Sequence, residues 1–241
     1  MHVSWGKLTN RRRAQHIHAV GSGGVNSNMV WIDCEMTGLD LEADGLCEVA
    51  ALVTDSELNV LGEGVDVVIK PTDAQLEHMG EFVTEMHTKS GLLPLLAEGT
   101  TLEDAQQQVL AYVQEYCPTA RKAPLAGNTI GTDRAFLAKY MPELEQHLHY
   151  RNIDVSSIKE LARRWYPRVQ HKAPAKTGNH RALADIQESI EELRYYRDAL
   201  FVAQPGPSSE ELTEIATKHC GALTGHRPAE PSATPDTNAE G

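Results

Sequence analysis

Three places in this 241-residue chain offer side chains that could do chemistry. The first is Asp33 and Glu35, two acids two residues apart at the end of the apolar run Met29–Cys34. In an extended strand, residues i and i+2 leave the same face. The two carboxylates would then point the same way, roughly 7 Å apart, an arrangement that favours a cation beside them. Alone, the pair reads equally well as a solvated strand end before the turn Thr37-Gly38-Leu39-Asp40. The second is Asp133, just past Gly127-Asn128-Thr129-Ile130-Gly131, where a short strand gives way to a helix. By itself it could be a first-turn acid favoured by the helix dipole by a few tenths of a kcal/mol. The third is His180 with Asp185. Five helical steps rotate by about 140°, so His180 belongs in the preceding loop or at the helix start, with Asp185 on the helix proper. A loop-borne imidazole titrates near neutral pH and suits removal of a proton from a water held by a cation. Alone, it is an exposed histidine among 11.

Together, four acids and one histidine supplied by a strand, a helix start and a late helix are what a two-cation phosphoryl-transfer site needs. Hard oxygen donors select Mg²⁺ or Mn²⁺ over zinc. His16-x-His18 and His147-x-His149 have metal-like spacing, yet neither neighbourhood supplies a matching set of acids or cysteines, so both read as solvated surface histidines.

The elements that must position these residues follow from hydrophobic patterning. Met29–Cys34, Leu46–Thr54 and Val65–Ile69 read as three strands in succession. Thr101-x-x-Asp104 opens a helix with Leu102, Ala105, Val109 and Val113 on one side, stopping at Cys117-Pro118. A strand at Leu125–Asn128 leads into a helix over 132–140, and a strand at Asn152–Val155 into a helix over Ser156–Trp165. From about Arg181 to Leu200, apolar positions recur at helical spacing. Three strands followed by alternating α and β predict an α/β fold with a mixed sheet covered by helices.

Asp33 through Asp40, Gly127 through Arg134, and His180 with Asp185 resemble the three exonuclease motifs of the DEDDh family. Tyr140–Glu145, Asp154–Ser156 and Leu161–Trp165 are similar to segments of oligoribonucleases, and the resemblance runs from about Met29 to Phe201. It implies an RNase H-like exonuclease fold, a mixed five-stranded sheet flanked by helices. The implied reaction is 3′-to-5′ hydrolysis of very short RNAs, dinucleotides above all, to 5′-mononucleotides. On that mapping Asp33, Glu35, Asp133 and Asp185 hold two Mg²⁺ or Mn²⁺ ions, and His180 is the general base. Leu39 becomes a wedge between bases. Phe82 becomes an aromatic platform where a Trp is familiar. Thr129, where a Ser is usual, joins Arg151 and Ser156 in capping the 5′ phosphate, with Tyr150 contributed by the partner subunit of a homodimer. Without the resemblance, Leu39 reads as a hydrophobic residue after a turn and Phe82 as a helix core residue. Tyr150 and Arg151 read as surface residues before a strand.

Composition bounds the partners. Lys plus Arg number 22 against 34 Asp plus Glu, a formal net charge of −12. The first 28 residues hold Lys7, Arg11, Arg12 and Arg13 and no acid, so the remainder is more acidic still. Such a surface repels long polyanions, and binding to a short substrate must come from metal coordination, base stacking worth ~1–3 kcal/mol per base, and a few charge-assisted bonds. Long nucleic acid is not expected to bind tightly. No apolar stretch approaches the ~18–20 residues of a membrane span. Four cysteines without CxxC spacing suit free thiols in a reducing compartment, so the expected location is cytoplasmic. Residues 1–28 read as a flexible leader, 29–202 as the folded exonuclease domain, and 203–241 as a tail with five of the twelve prolines. Ser208 and Glu211 form a capping-box pattern for one short helix in that tail. Two rivals remain: a related exonuclease acting on longer RNA or DNA ends, of tRNA-trimming or proofreading type, and a non-catalytic RNase H-like scaffold.

Overall fold

A computed structural model describes residues 27–175 and 180–221. The expectations of a leader (up to residue 26), of a loop over 176–179 and of a tail beyond 221 lie outside the described residues. So does the reading of His16-x-His18.

The sheet has five strands in the order β3-β2-β1-β4-β5: β1 Met29–Met36, β2 Leu46–Thr54, β3 Val60–Val68, β4 Pro124–Gly127 and β5 His149–Asp154. β1, β2 and β3 form an antiparallel meander, and β4 and β5 continue the sheet parallel to β1. The helices are α1 Asp73–His78, α2 Glu81–Lys89, α3 Leu102–Tyr116, α4 Gly131–Tyr140, α5 Pro142–His147, α6 Val155–Trp165, α7 Pro167–His171, α8 Ala182–Leu200 and α9 Ser209–His219. A 3-10 helix spans Leu93–Glu98. This is the mixed sheet flanked by helices that the element order predicts.

All nine residues of β2 are buried, as expected for a strand covered on both faces. Strand alternation then divides the core in two. Val30, Ile32 and Cys34 pack with Ala105, Val109 and Val113 of α3 and with Phe136 and Leu137 of α4. Met29 and Trp31 pack on the opposite face with Ala182, Ile186, Ile190 and Leu193 of α8. Each fully buried Val, Ile, Leu or Phe among them contributes about 1.5–3 kcal/mol. The period-two alternation of β1 also carries Asp33 and Glu35 towards the α8 side. α3 starts where Thr101 accepts the Asp104 N–H at 3.1 Å and stops at Cys117, because Pro118 follows.

Several elements depart from the sequence expectation. β3 begins at Val60, five residues earlier than its apolar pattern suggests. Its first half is broken by Gly62 and Gly64, both at positive φ, which interrupt the alternation. β5 begins at His149 rather than Asn152. The short helices α1, α2, α5 and α7 and the 3-10 helix lie where no periodic segment was expected; at five to nine residues they are too short to show one. The tail helix α9 forms with the expected capping box between Ser208 and Glu211, and none of its residues is buried. His147 corrects the reading of a solvated pair. It is buried, and its Nε2 donates to the Cys117 carbonyl at 2.7 Å, tying α5 to the end of α3. Residue spacing cannot reveal a backbone carbonyl 30 positions away. Among the described residues, no helix is long and apolar enough to cross a membrane. All four cysteines are free thiols.

Candidate active site

β4 pairs with β1 only at Val30 and Trp31 and ends at Gly127, so β1 runs on past it at the carboxyl ends of the two parallel strands, where open α/β sheets place their ligands. The turn out of β4 is tight. A Cβ on residue 127 would stand 2.8 Å from Ile130 Cδ1 and 3.1 Å from the Ile32 carbonyl oxygen, so any larger residue would force Ile130 to shift and crowd β1. That turn delivers Asp133, in the first turn of α4, to β1. Its Oδ1 accepts the Cys34 N–H at 3.0 Å.

Glu35, His180 and Asp185 come together at the same end of the sheet. Their ligand atoms all lie within 4.8 Å of one another. Glu35 is only 7% exposed, Asp185 is half-buried on α8, and His180 is exposed just before that helix with a left-handed backbone at φ +48°. Asp33, half-buried on β1, lies two residues before Glu35.

The electrostatics are those of acids without enough cations. Burial, followed by the charges of Asp185, Glu48 and Asp133, pushes the Glu35 carboxyl up to about 8, and Arg181 pulls the other way. Burial raises Asp133 to about 6, although the Cys34 N–H and thiol partly offset it. The Cys34 thiol is held well above its ordinary value by burial first and then by Asp133, Asp33 and Glu35. It is therefore no thiolate nucleophile. Hard carboxylate oxygens converging with one imidazole, at a spacing one small ion can bridge, fit a divalent cation of the Mg²⁺ or Mn²⁺ type.

Two exposed apolar residues border the site's elements. Leu39 is 75% exposed on the loop between β1 and β2, and Phe82 is 79% exposed on α2, so neither is a core residue. The loop is organised by Asp44. That carboxylate accepts from Thr37 Oγ1 at 3.0 Å and from the Asp40 N–H at 2.9 Å, and it pairs with His78 Nδ1 at 2.9 Å. Helix α2 is seated by fully buried His87, whose Nε2 donates to the Met36 carbonyl at 2.8 Å while its Nδ1 stands 3.9 Å from Glu35.

Thr129 and Ser156 are brought together by one acceptor. Asp154 Oδ1 accepts the Thr129 N–H at 3.0 Å, the Ser156 N–H at 2.9 Å and the Ser156 hydroxyl at 2.6 Å. Tyr150 and Arg151 are exposed on β5, the guanidinium 5.5 Å from the Tyr150 ring centre.

Sequence reasoning missed Glu48, Arg181, Asp44 and His87. One signal was available: Glu48 is the lone charge in the otherwise apolar run Leu46–Val53, and an acid inside a buried strand needs a dedicated partner.

Comparison with known proteins agrees with this geometry. Residues 30–193 match the RNase_T exonuclease family. The chain is 69% identical over 194 residues to an oligoribonuclease of Streptomyces griseus, covering 80% of this chain and 96% of that one. It is 54% identical over 214 residues to the oligoribonuclease of Mycobacterium avium, covering 88% and 100%. Among solved structures, zinc-bound E. coli exonuclease I in complex with single-stranded DNA superimposes with a TM-score of 0.57 at 17% identity, over 80% of this chain. Exonuclease I of Methylocaldum szegediense gives 0.51 at 20% identity, over 72%. The chain spans only 43% and 41% of those two larger chains, and at such identity the likeness concerns the fold alone. By its match over residues 30–193 and by these relatives, the chain belongs to the RNase_T exonuclease family and, within it, to the oligoribonucleases.

Proposed function

We propose that this protein is a 3′-to-5′ exoribonuclease that degrades very short RNAs, dinucleotides in particular, to 5′-mononucleotides. The observation that carries the reading is the convergence of Glu35, Asp185 and His180 within 4.8 Å in a strongly acidic chain. Asp33, Glu35, Asp133 and Asp185 would hold two Mg²⁺ or Mn²⁺ ions. When bound, such ions neutralise charge at the scissile phosphate and make water a nucleophile at neutral pH. His180, exposed and beside Glu35 and Asp185, accepts the proton of the attacking water.

Specificity for short substrates comes from the flanking residues. Leu39 separates the two bases and Phe82 offers one of them a stacking face. Thr129, Ser156 and Arg151 cap the 5′ phosphate, with Tyr150 reaching in from a second copy in a homodimer. Thr129 and Ser156 already share the Asp154 carboxylate, which supports a joint role in that cap. The acidic surface supports the same specificity, since a long polyanion gains no attraction from it. Residues 29–202 form the catalytic unit, and the free thiols support a cytoplasmic location.

Turnover of two- to seven-nucleotide RNAs, with and without EDTA, tests the proposal. The expected result is chelator-sensitive release of mononucleotides, fastest on the dinucleotide, with that preference flattened in Arg151→Ala. Equal relative rates across the panel in the unmodified enzyme would overturn the dinucleotide specificity. Mn²⁺-dependent release that persists in Asp133→Ala would overturn the site.

A further inference from the structure

Glu48 is a wholly buried carboxylate, 0% exposed, on β2 between β3 and β1, directly opposite Glu35 in the β1–β2 pairing. The chemistry proposed above gives it no part. Its Oε1 accepts from Arg181 Nε at 2.8 Å and lies 2.6 Å from Arg181 Nη2, while its Oε2 accepts the Ala182 N–H at 3.0 Å. Arg181 also reaches towards Asp66 on β3, at 3.8 Å.

Burying a charge costs several kcal/mol, so a buried carboxylate is maintained only where it is fully bonded, as Glu48 is by Ala182 and by the half-buried Arg181. The position of those bonds is informative. A helix leaves its first N–H groups without intrahelical partners, and a side chain at the N-cap usually satisfies one of them. The N-cap of α8 is Arg181, which makes no side-chain cap bond. The cap is supplied from the sheet instead, by Glu48 to the first residue of α8. Immediately before this clamp stands His180 at φ +48°, a conformation that costs a non-glycine residue about 1 kcal/mol or more and persists only where the surroundings fix it.

We infer that Glu48 and Arg181 are positioning residues: the pair clamps the start of α8 to β2 and thereby holds the His180 imidazole beside Glu35 and Asp185. The inference rests on the assignment of His180 as base, and it makes Arg181 kinetically dependent on His180.

The test is steady-state turnover of a dinucleotide in saturating Mn²⁺ by Arg181→Ala, Arg181→Lys, His180→Ala and the double Ala variant, together with amide hydrogen exchange of the metal-free proteins. Misplacing a catalytic group by about 1 Å can cost as much as 10²-fold, so Arg181→Ala should lower kcat by about 10–100-fold with KM within about twofold. Arg181→Lys should recover part of that loss, and the double variant should fall no lower than His180→Ala alone. The Ala182 amide should exchange at least about tenfold faster in Arg181→Ala, while Val49 and Ala50 in β2 keep their protection. Unchanged kcat in Arg181→Ala, multiplicative losses in the double variant, unchanged Ala182 exchange, or loss of protection across β2 as well would each overturn the inference. If His180→Ala keeps full turnover, the base assignment fails, and the exchange of Ala182 still decides the clamp. If His180→Ala has no measurable turnover, the Lys rescue and the exchange decide it.

Discussion

Glu35 and Asp44 are both nearly inaccessible carboxylates, 7% and 2% exposed, one on β1 and one in the loop that joins it to β2, yet their surroundings are opposite. Burial pushes the Asp44 carboxyl up, but bonds from His78, from the Asp40 N–H and from Thr37 outweigh it, and the group sits below its ordinary value. Glu35 faces Asp185, Glu48 and Asp133 and is pushed up to about 8. A carboxylate that the protein satisfies with its own donors holds structure together. A carboxylate that the protein surrounds with further acids is left for a cation from outside, and the chain gives up stability to keep it so. Glu48 stands between these extremes: it shares Glu35's face of the sheet but has a resident cation in Arg181.

The largest expected effect separates the two kinds of acid directly. Glu35→Gln should lower turnover of a dinucleotide by about 10³-fold or more, because it removes a charged oxygen ligand at the reacting centre. The same change should raise the melting temperature of the metal-free protein at pH 8, since it removes one of several mutually repelling charges. Calorimetry with and without Mn²⁺ reads both terms: the ion should raise the melting temperature of the unmodified protein and have far less effect on the variant. A variant less stable than the parent in the absence of metal would place Glu35 with Asp44 and break the contrast.

A pH series sharpens the same point. The folded-state values of Glu35 and Asp133, about 8 and about 6, lie above their ordinary values of 4.5 and 3.8. The folded protein therefore holds protons that the unfolded chain releases, and stability falls as pH rises through that window. Metal-free protein should melt progressively lower between pH 5 and pH 8, with a shallower slope in Glu35→Gln. Saturating Mn²⁺ should reverse the slope, because the ion displaces those protons. A flat profile in metal-free protein would contradict the reading.

What could be read in advance follows from how the information is stored. The convergence of Glu35, His180 and Asp185 was legible because residue type and local spacing carry chemistry, and α3 and α8 because fifteen and nineteen residues suffice for a periodic apolar face. α2 was illegible: its one buried residue is His87, and it is docked by a bond to the Met36 carbonyl 51 positions away. The early start of β3 was hidden by two glycines whose positive φ serves the backbone rather than the pattern. Glu48 and Arg181 are 133 residues apart, so each looked like an isolated charge until the fold paired them.

On the structural side of the contrast, Asp44→Ala should destabilise the protein by about 2–3 kcal/mol in chemical denaturation, since Thr37, the Asp40 N–H and His78 all lose their acceptor. Mn²⁺ should still raise the variant's melting temperature by as much as it raises the parent's. The base-separating role proposed for Leu39 adds a finer readout: KM for a dinucleotide should rise more than kcat falls, because the loop 37–45 is then less firmly held. If Asp44→Ala abolished metal binding, the two acids would be parts of one site.

The smallest effect concerns His78, which is half-exposed and whose value is raised mainly by its bond to Asp44 and by that group's charge. The sign differs between the partners. A histidine with a raised folded value contributes stability that is fully present below its unfolded value of 6.5 and is lost as pH climbs through the folded value. A carboxylate with a lowered value contributes stability present above its unfolded value of 3.8 and lost as pH falls through the folded one. The pair is therefore fully effective only between those limits. The difference in melting temperature between the parent and His78→Ala should be widest near pH 5–6 and shrink as pH climbs through the raised folded value and the imidazole loses its proton. It should also shrink in high salt, because the histidine side of the bond meets solvent. A difference independent of pH would mean that His78 contributes packing alone, and that Asp44 is satisfied by the hydroxyl and amide donors of its own loop.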